Sequence, residues 1–256
     1  MNRLFKGQVA IISGGIGDIG FATAIALARQ GADIALGDVL PSDSQIVSSR
    51  LNMIGDLGVK RTYCQVDVGD GDAVKIWARG VADTLGTAQI VVANAAIATL
   101  ASMYELTPVQ WKEEINTNLN GGFYLAQAAT ALMLDRDLPG RVVFVGSWAA
   151  SHVHLHMPAY SVSKAGLSML CKCMALELAP KGISVNEIAP GYVDAGLSGR
   201  FWREKPELRD KARERVPMRQ VITAEEVADQ IVFLCHPDNK HMTGTTLLMD
   251  GGLSLK

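Results

Sequence analysis

Three residues of this chain can, by type and spacing, move a proton onto or off an alcohol oxygen: Ser147, Tyr160 and Lys164. Tyr160 and Lys164 are four positions apart, so in a helix they lie one turn apart on one face. A neighbouring ammonium favours the ionised phenol, whose ordinary pKa of about 10 is too high for efficient proton exchange near neutrality. Ser147, thirteen residues ahead of the phenol, can hydrogen-bond a substrate oxygen and hold it beside Tyr160. A Tyr-x-x-x-Lys pair alone also decorates ordinary helix surfaces. The first half of the chain decides between the two.

For the trio to meet, a strand must end near Ser147 and a helix must carry Tyr160 and Lys164. The pattern supplies both, with residues 141–145 reading as a strand and 159–179 as a long helix. Upstream, short apolar runs at 8–13, 33–37, 61–66 and 89–93 alternate with helical patterns at 21–30, 44–57 and 72–85. Thr107-Pro108 reads as an N-cap with proline at the first helical position, opening a helical region that reaches about residue 134. Strands at 183–188 and 245–249 and a helix at 224–235 complete the series. Such alternation predicts an α/β fold: one doubly wound Rossmann-like domain over residues 1–256, a seven-stranded parallel sheet with helices on both faces. The rhythm breaks at 191–220, a polar and charged stretch that reads as a substrate lid.

Gly14-Gly15-Ile16-Gly17-Asp18-Ile19-Gly20 lies between the first strand and the first helix, the context a phosphate-binding turn requires. Without side chains the backbone can approach a pyrophosphate, and helix N-terminal N–H groups meet its charge. Asp38, after the second strand, can accept both ribose hydroxyls of an adenosine and would repel a 2′-phosphate, which predicts NAD as the cofactor.

Composition narrows the function classes. The 256 residues are 48% hydrophobic and 20% charged with a formal net charge of −2, so a large core is expected and no basic footprint for nucleic acid is present. No apolar run approaches the ~18 residues of a membrane span. The four cysteines form no C-x-x-C pair and have no matching histidine spacing, so no metal is expected and the thiols read as small hydrophobes. The first eight residues lead into a strand without an apolar leader pattern, and the expected location is cytoplasmic.

Together these motifs resemble the short-chain dehydrogenase/reductase family, over essentially the whole chain. Ser13-Gly14-x-x-x-Asp18-Ile19-Gly20 is similar to its glycine turn, Asp67-Val68 to its adenine-contacting pair, and Asn94-Ala95-Ala96 to its Asn-Ala-Gly segment. Pro190-Gly191 resembles the nicotinamide-side Pro-Gly, and Thr243-Gly244 with Asp250-Gly251-Gly252 the C-terminal signature. The resemblance implies hydride transfer at a carbinol carbon, with Tyr160 as acid or base. It implies that Lys164 lowers the Tyr160 pKa and holds the nicotinamide ribose, that Ser147 positions the substrate, and that Asn118 anchors a proton-passing water. It also implies a homotetramer built on the helical regions at 109–134 and 159–179. Three residues depart from the pattern. Asp18 replaces the central glycine and puts an acid near the phosphates, Ala96 replaces a glycine, and Ala195 replaces a threonine whose contact the backbone around Val193 would have to supply.

At the substrate end, Ser151-His152-Val153-His154-Leu155-His156 precedes Tyr160, and alternation in an extended segment puts the three histidines on one side. His154, His156, Arg200 and Trp202 are the expected substrate contacts, with further cations at Arg203, Lys205 and Arg209. Donors of this kind suit a sugar, polyol or sugar acid. The alternatives are a 3-oxoacyl thioester, a steroid or another hydrophobic ketone, and, outside catalysis, a dinucleotide-binding regulator.

Overall fold

The protein was analysed as a computed structural model, which describes residues 3–196, 199, 202 and 206–255. Its apolar runs form seven strands: β1 (Val9–Ser13), β2 (Asp33–Asp38), β3 (Arg61–Gln65), β4 (Ala88–Ala93), β5 (Gly140–Val145), β6 (Ile183–Pro190) and β7 (Thr246–Met249). They build one sheet in the order β3-β2-β1-β4-β5-β6-β7, every neighbouring pair parallel.

Because side chains alternate along a strand, each inner strand feeds two cores. Ala10, Ile12, Ile34, Leu36, Val143 and Ile188 pack on one face with Ala24 and Leu27 of α1 (Asp18–Arg29). On the other, Ile11, Val91, Val142, Phe144 and Val185 meet α3 (Gly71–Thr84), α5 (Gly121–Leu134) and α6 (Pro158–Leu178), the helix α2 (Gln45–Gly55) having intervened after β2. Among the described residues the remaining α-helices are α4 (Pro108–Ile115), α7 (Pro206–Arg215) and α8 (Ala224–Cys235), and α8 joins α1 on the first face. Thr107 and Thr223 open α4 and α8 with reciprocal capping boxes, each cap contributing about 1 kcal/mol. The fold is the expected Rossmann-like α/β sheet.

Two local differences from the sequence pattern bear on the site. Helix α1 begins at Asp18, inside the glycine turn, rather than at residue 21. The expected continuous helix across 108–134 is interrupted by a π-helical turn, Asn116–Asn120. Asn118, in that turn, bonds to the segment after β4 and to α6, and such widened turns commonly re-aim a side chain.

Sheet order reverses between β1 and β4, since the chain moves outward through β2 and β3 before returning to the far side of β1. Loops leaving the carboxyl ends of β1 and β4 therefore diverge and leave a crevice there.

Candidate active site

Two polar residues fasten the mouth of this crevice. Ser13 Oγ accepts the backbone N–H groups of Asn94 at 3.1 Å and Ala95 at 3.2 Å. The Asn94 amide in turn donates to the carbonyls of Ser13 and Gly14, both at 3.1 Å. Gly14 has φ +60, and a Cβ there would stand 2.9 Å from Ala95 Cα. The turn can therefore approach β4 closely only without a side chain. Asp38 Oδ2 accepts the N–H of Ile16 at 3.0 Å, which draws the end of β2 onto the same turn.

A cavity of about 780 Å³ runs from this turn to Tyr160, within the usual range of small-molecule sites. Gly14, Ile16, Asp18, Ile19, Asp38, Asp67, Val68, Asn94, Ala95, Ala96, Pro190, Gly191 and Val193 all line it. Gly20 does not. It lies behind the turn, where a Cβ would collide with the Gly14 carbonyl, so its smallness lets α1 pack against the turn. Asp67 Oδ1 closes a local turn by accepting from Gly69 N at 2.8 Å.

Asp18 does not cap its own helix. Gly17 is the N-cap of α1 and no side chain caps that end. The Asp18 carboxylate instead accepts the N–H of Gly196 at 2.8 Å and pairs with Arg50 at 3.5 Å. Arg50 also donates to the carbonyls of Ile16 and Gly17 and lies over the Phe21 ring, 4.6 Å from its centroid. A cation thus stands at the turn, offsetting the Asp18 charge, although the turn sequence itself holds no Lys or Arg.

At the other end, β5 runs into Ser147 and α6 carries Tyr160 and Lys164. Lys164 is 2% exposed, and its ammonium donates to the Val145 carbonyl at 2.7 Å while standing 5.6 Å from the Tyr160 ring centroid. Burial pulls Lys164 down to about 8, partly countered by the Glu187 carboxylate. The Tyr160 phenol stands above its ordinary value because burial disfavours the phenolate; the Ser147 hydroxyl pulls it down and Glu114 pushes it up. Asn118, 1% exposed, does not line the cavity. Its Oδ1 accepts from Ile97 N at 2.8 Å, and its Nδ2 donates to Ile97 O at 2.9 Å and Ser163 Oγ at 3.0 Å. Asn118 therefore ties α6 to the segment after β4.

Aromatic side chains wall the space next to Ser147. The Trp148 ring stacks on His152 at 6.2 Å between centroids and meets His154 at 5.8 Å and Tyr192 at 5.7 Å. Trp148, His154 and Tyr192 all line the cavity. Trp202 does not; it packs behind Tyr192 at 6.5 Å. His156 is also outside the cavity and exposed, at φ +62, and its carbonyl accepts from Ala101 N at 2.9 Å. The segment turns there instead of staying extended, so the third histidine leaves the face of the other two. Arg200, Arg203 and Lys205 lie outside the described residues, while Arg209 is committed to Asp194 at 2.7 Å. Ala195 lines the cavity, and Val193 pairs with Ile222 in a short parallel bridge.

Sequence reasoning missed Arg50, Trp148, Tyr192 and two wholly buried carboxylates, Glu114 and Glu187. Glu114 Oε1 accepts from Thr99 N at 2.6 Å, and burial holds this carboxyl above the usual range despite that bond. The available signal was positional, an acid in the apolar middle of a strand or on the inner side of a helix. Among the described residues no His, Cys, Asp or Glu cluster is arranged to hold a metal, and no helix is long and apolar enough to cross a membrane.

A family model described as enoyl-(acyl carrier protein) reductase matches residues 15–254. A short-chain dehydrogenase of Pyricularia oryzae is 31% identical, the match covering 94% of this chain and 95% of that protein. L-rhamnose-1-dehydrogenase of Scheffersomyces stipitis is 29% identical, with 99% and 98% covered. A 3-oxoacyl-(acyl-carrier-protein) reductase of Thermotoga maritima is 30% identical, with 97% and 98% covered. Among solved structures, one from Agrobacterium tumefaciens, provisionally assigned as a 2-deoxy-D-gluconate 3-dehydrogenase with NADP bound, superposes with a TM-score of 0.89 at 27% identity, covering 100% of this chain and 99% of that one. The glycine turn at the switch point, the Ser147, Tyr160 and Lys164 side chains around one cavity and these whole-length matches agree: the chain belongs to the short-chain dehydrogenase/reductase family and is an oxidoreductase acting on CH–OH groups.

Proposed function

We propose that this enzyme interconverts a secondary alcohol or hemiacetal and the corresponding carbonyl on a sugar, polyol or sugar acid, using NAD. The carrying observation is the wall of the cavity beside Ser147, where Trp148, His154 and Tyr192 combine flat apolar faces with ring N–H and O–H groups. Aromatic faces accept the C–H side of a polyol, and histidine and tyrosine hydrogen-bond its hydroxyls. The sugar dehydrogenase names among the relatives support the same class.

The residues of the turn fit a nicotinamide dinucleotide. The backbone of 14–20 would hold the pyrophosphate at the start of α1, Asp38 the adenosine ribose and Lys164 the nicotinamide ribose. When bound, the nicotinamide supplies the hydride acceptor or donor. The chain's own task is the proton. Ser147 orients the substrate oxygen, Tyr160 takes the hydroxyl proton in oxidation and returns it in reduction, and Lys164 stabilises the phenolate. Asn118 fixes α6 and Ile97 around them, and residues 191–220 close over the substrate as a lid. NAD is favoured because Asp38, bonded to the glycine turn, would repel a 2′-phosphate, and Arg50, a cation at that turn, already serves Asp18 and two carbonyls. Assembly as a homotetramer is supported by exposed apolar residues on α5 and α6, among them Leu134, Val162, Met169 and Leu176.

The competing reading, reduction of a 3-oxoacyl thioester, is favoured by the Thermotoga relative and by exposed Val153 and Leu155 on the segment leading to α6. An absorbance screen for NADH formation and consumption separates the two. Turnover of an aldose, polyol or sugar acid is expected; robust turnover of acetoacetyl thioesters or steroids, with none on carbohydrates, would overturn the proposal.

A further inference from the structure

A carboxylate in the middle of a buried parallel strand is costly unless something answers its charge. Glu187 sits in β6 between Phe144 of β5 and Thr246 of β7, and none of its surface is exposed. It shares a sheet face with Val185, two residues earlier, and so belongs to the layer beneath α6. Oε2 accepts the Thr246 hydroxyl at 2.6 Å, while Oε1 is buried with no hydrogen-bond partner among the described residues.

The location of Oε1 is informative. A Cβ on Gly146 would collide with it, so this oxygen occupies the space that Gly146 leaves open. Gly146 directly follows Val145, whose carbonyl accepts the Lys164 ammonium at 2.7 Å. The free carboxylate oxygen of β6 therefore lies against the residue that follows the acceptor of the buried ammonium at the end of β5. No direct ion pair joins the two charges among the described residues, so they attract through a medium of low polarity.

We propose that Glu187, its free oxygen in the space Gly146 leaves open, is the internal counter-ion of Lys164, a positioning residue that keeps the lysine cationic beside the Tyr160 ring. This rests on the reading that Lys164 serves Tyr160. The other titratable groups around it are accounted for. On α6, Tyr160 and Cys171 flank Lys164, and Cys171 is pushed up to about 12 by burial and then by Glu187, with Lys172 opposing. Glu114 of α4 acts on Tyr160, and Thr246 of β7 is neutral. Burial draws Lys164 down, and the Glu187 charge in the same buried layer works against it.

A merely structural Glu187 would anchor β7 through Thr246, a bond that Glu187→Gln retains. The variant removes only the charge. Protein carrying ¹³Cε-lysine is titrated by NMR, and the Lys164 midpoint is expected to fall by about one pH unit, a tenfold change in its proton equilibrium. The alkaline limb of kcat/KM should move down by the same amount while the value on the plateau stays within severalfold. If the glutamine variant does not fold, the double variant Gly146→Ala with Glu187→Ala fills the carboxylate's space with a methyl group and is expected to show the same fall. An unchanged Lys164 midpoint in whichever variant folds would overturn the proposal. The titration needs no substrate: a shifted midpoint in a protein inactive on every alcohol would sink the proposed function alone, and an active enzyme with an unshifted midpoint would sink the counter-ion alone.

Discussion

Asp18 Oδ2 accepts the backbone N–H of Gly196 at 2.8 Å, although 178 positions separate them. The bond joins the first residue of the helix after the glycine turn to the beginning of the 191–220 segment. A residue that replaces a glycine thereby links the glycine-turn end of the cavity to the segment that follows β6. Asp18→Ala should raise KM for NAD severalfold and leave kcat for a saturated enzyme within about twofold, consistent with the ~1 kcal/mol of a partly exposed charged hydrogen bond. Initial-rate kinetics with varied cofactor check this, and an unchanged KM would show the link to be passive.

Tyr160→Phe removes the hydroxyl proposed to exchange the proton while keeping the ring over Lys164. Turnover should drop by at least about 10²-fold, the lower range for losing a general acid or base. NADH binding, followed by fluorescence, should change little. A phenylalanine variant with a substantial fraction of wild-type kcat would show that another group carries the proton.

Glu114 pushes the Tyr160 phenol up, so neutralising it must lower that pKa. With Glu114→Gln the phenolate becomes available at lower pH, and the acid limb of kcat/KM for alcohol oxidation should move toward lower pH. The carbonyl of the new side chain can keep the bond from Thr99 N. A shift toward higher pH, or none, would show that the Glu114 charge does not reach the phenol.

Asp38 holds Ile16 N and lines the glycine-turn end of the cavity, so on the proposed reading it should be felt both in cofactor choice and in the turn. NAD is expected to exceed NADP by at least tenfold in kcat/KM, about 1.4 kcal/mol. Asp38→Ser should erase most of that ratio by weakening NAD and relieving repulsion of a 2′-phosphate. Equal use of both cofactors by the wild type would remove the assignment.

The aromatic wall predicts a KM effect. Trp148→Ala should raise KM for the carbohydrate substrate tenfold or more, because Trp148 both lines the cavity and supports His154 and Tyr192. His156→Ala should leave it unchanged, since His156 faces away from the cavity. A larger effect at His156 than at Trp148 would reverse the assignment.

The strands, their alternation with helices, the glycine turn and the Ser147, Tyr160 and Lys164 trio were all legible in the chain because each rests on local chemistry. A buried parallel strand must be an apolar run, a phosphate-binding turn must lack side chains, and a Tyr-Lys pair one helical turn apart is defined by spacing alone. What only the tertiary structure decided involves partners from distant segments. Arg50, on α2, reaches a turn that has no cation of its own, and Asp18 finds Gly196 rather than its own helix end. Alternation predicted one side for His152, His154 and His156, but the backbone leaves the extended region at φ +62, which no period could reveal. Glu114 and Glu187 read in sequence as ordinary charges and are in fact wholly buried. Whether such a carboxylate faces solvent, a tyrosine or a lysine depends on which helices cover the sheet. Lys164 and Glu187 share one buried layer because α6 lies across β5 and β6, a packing relation that no local spacing encodes.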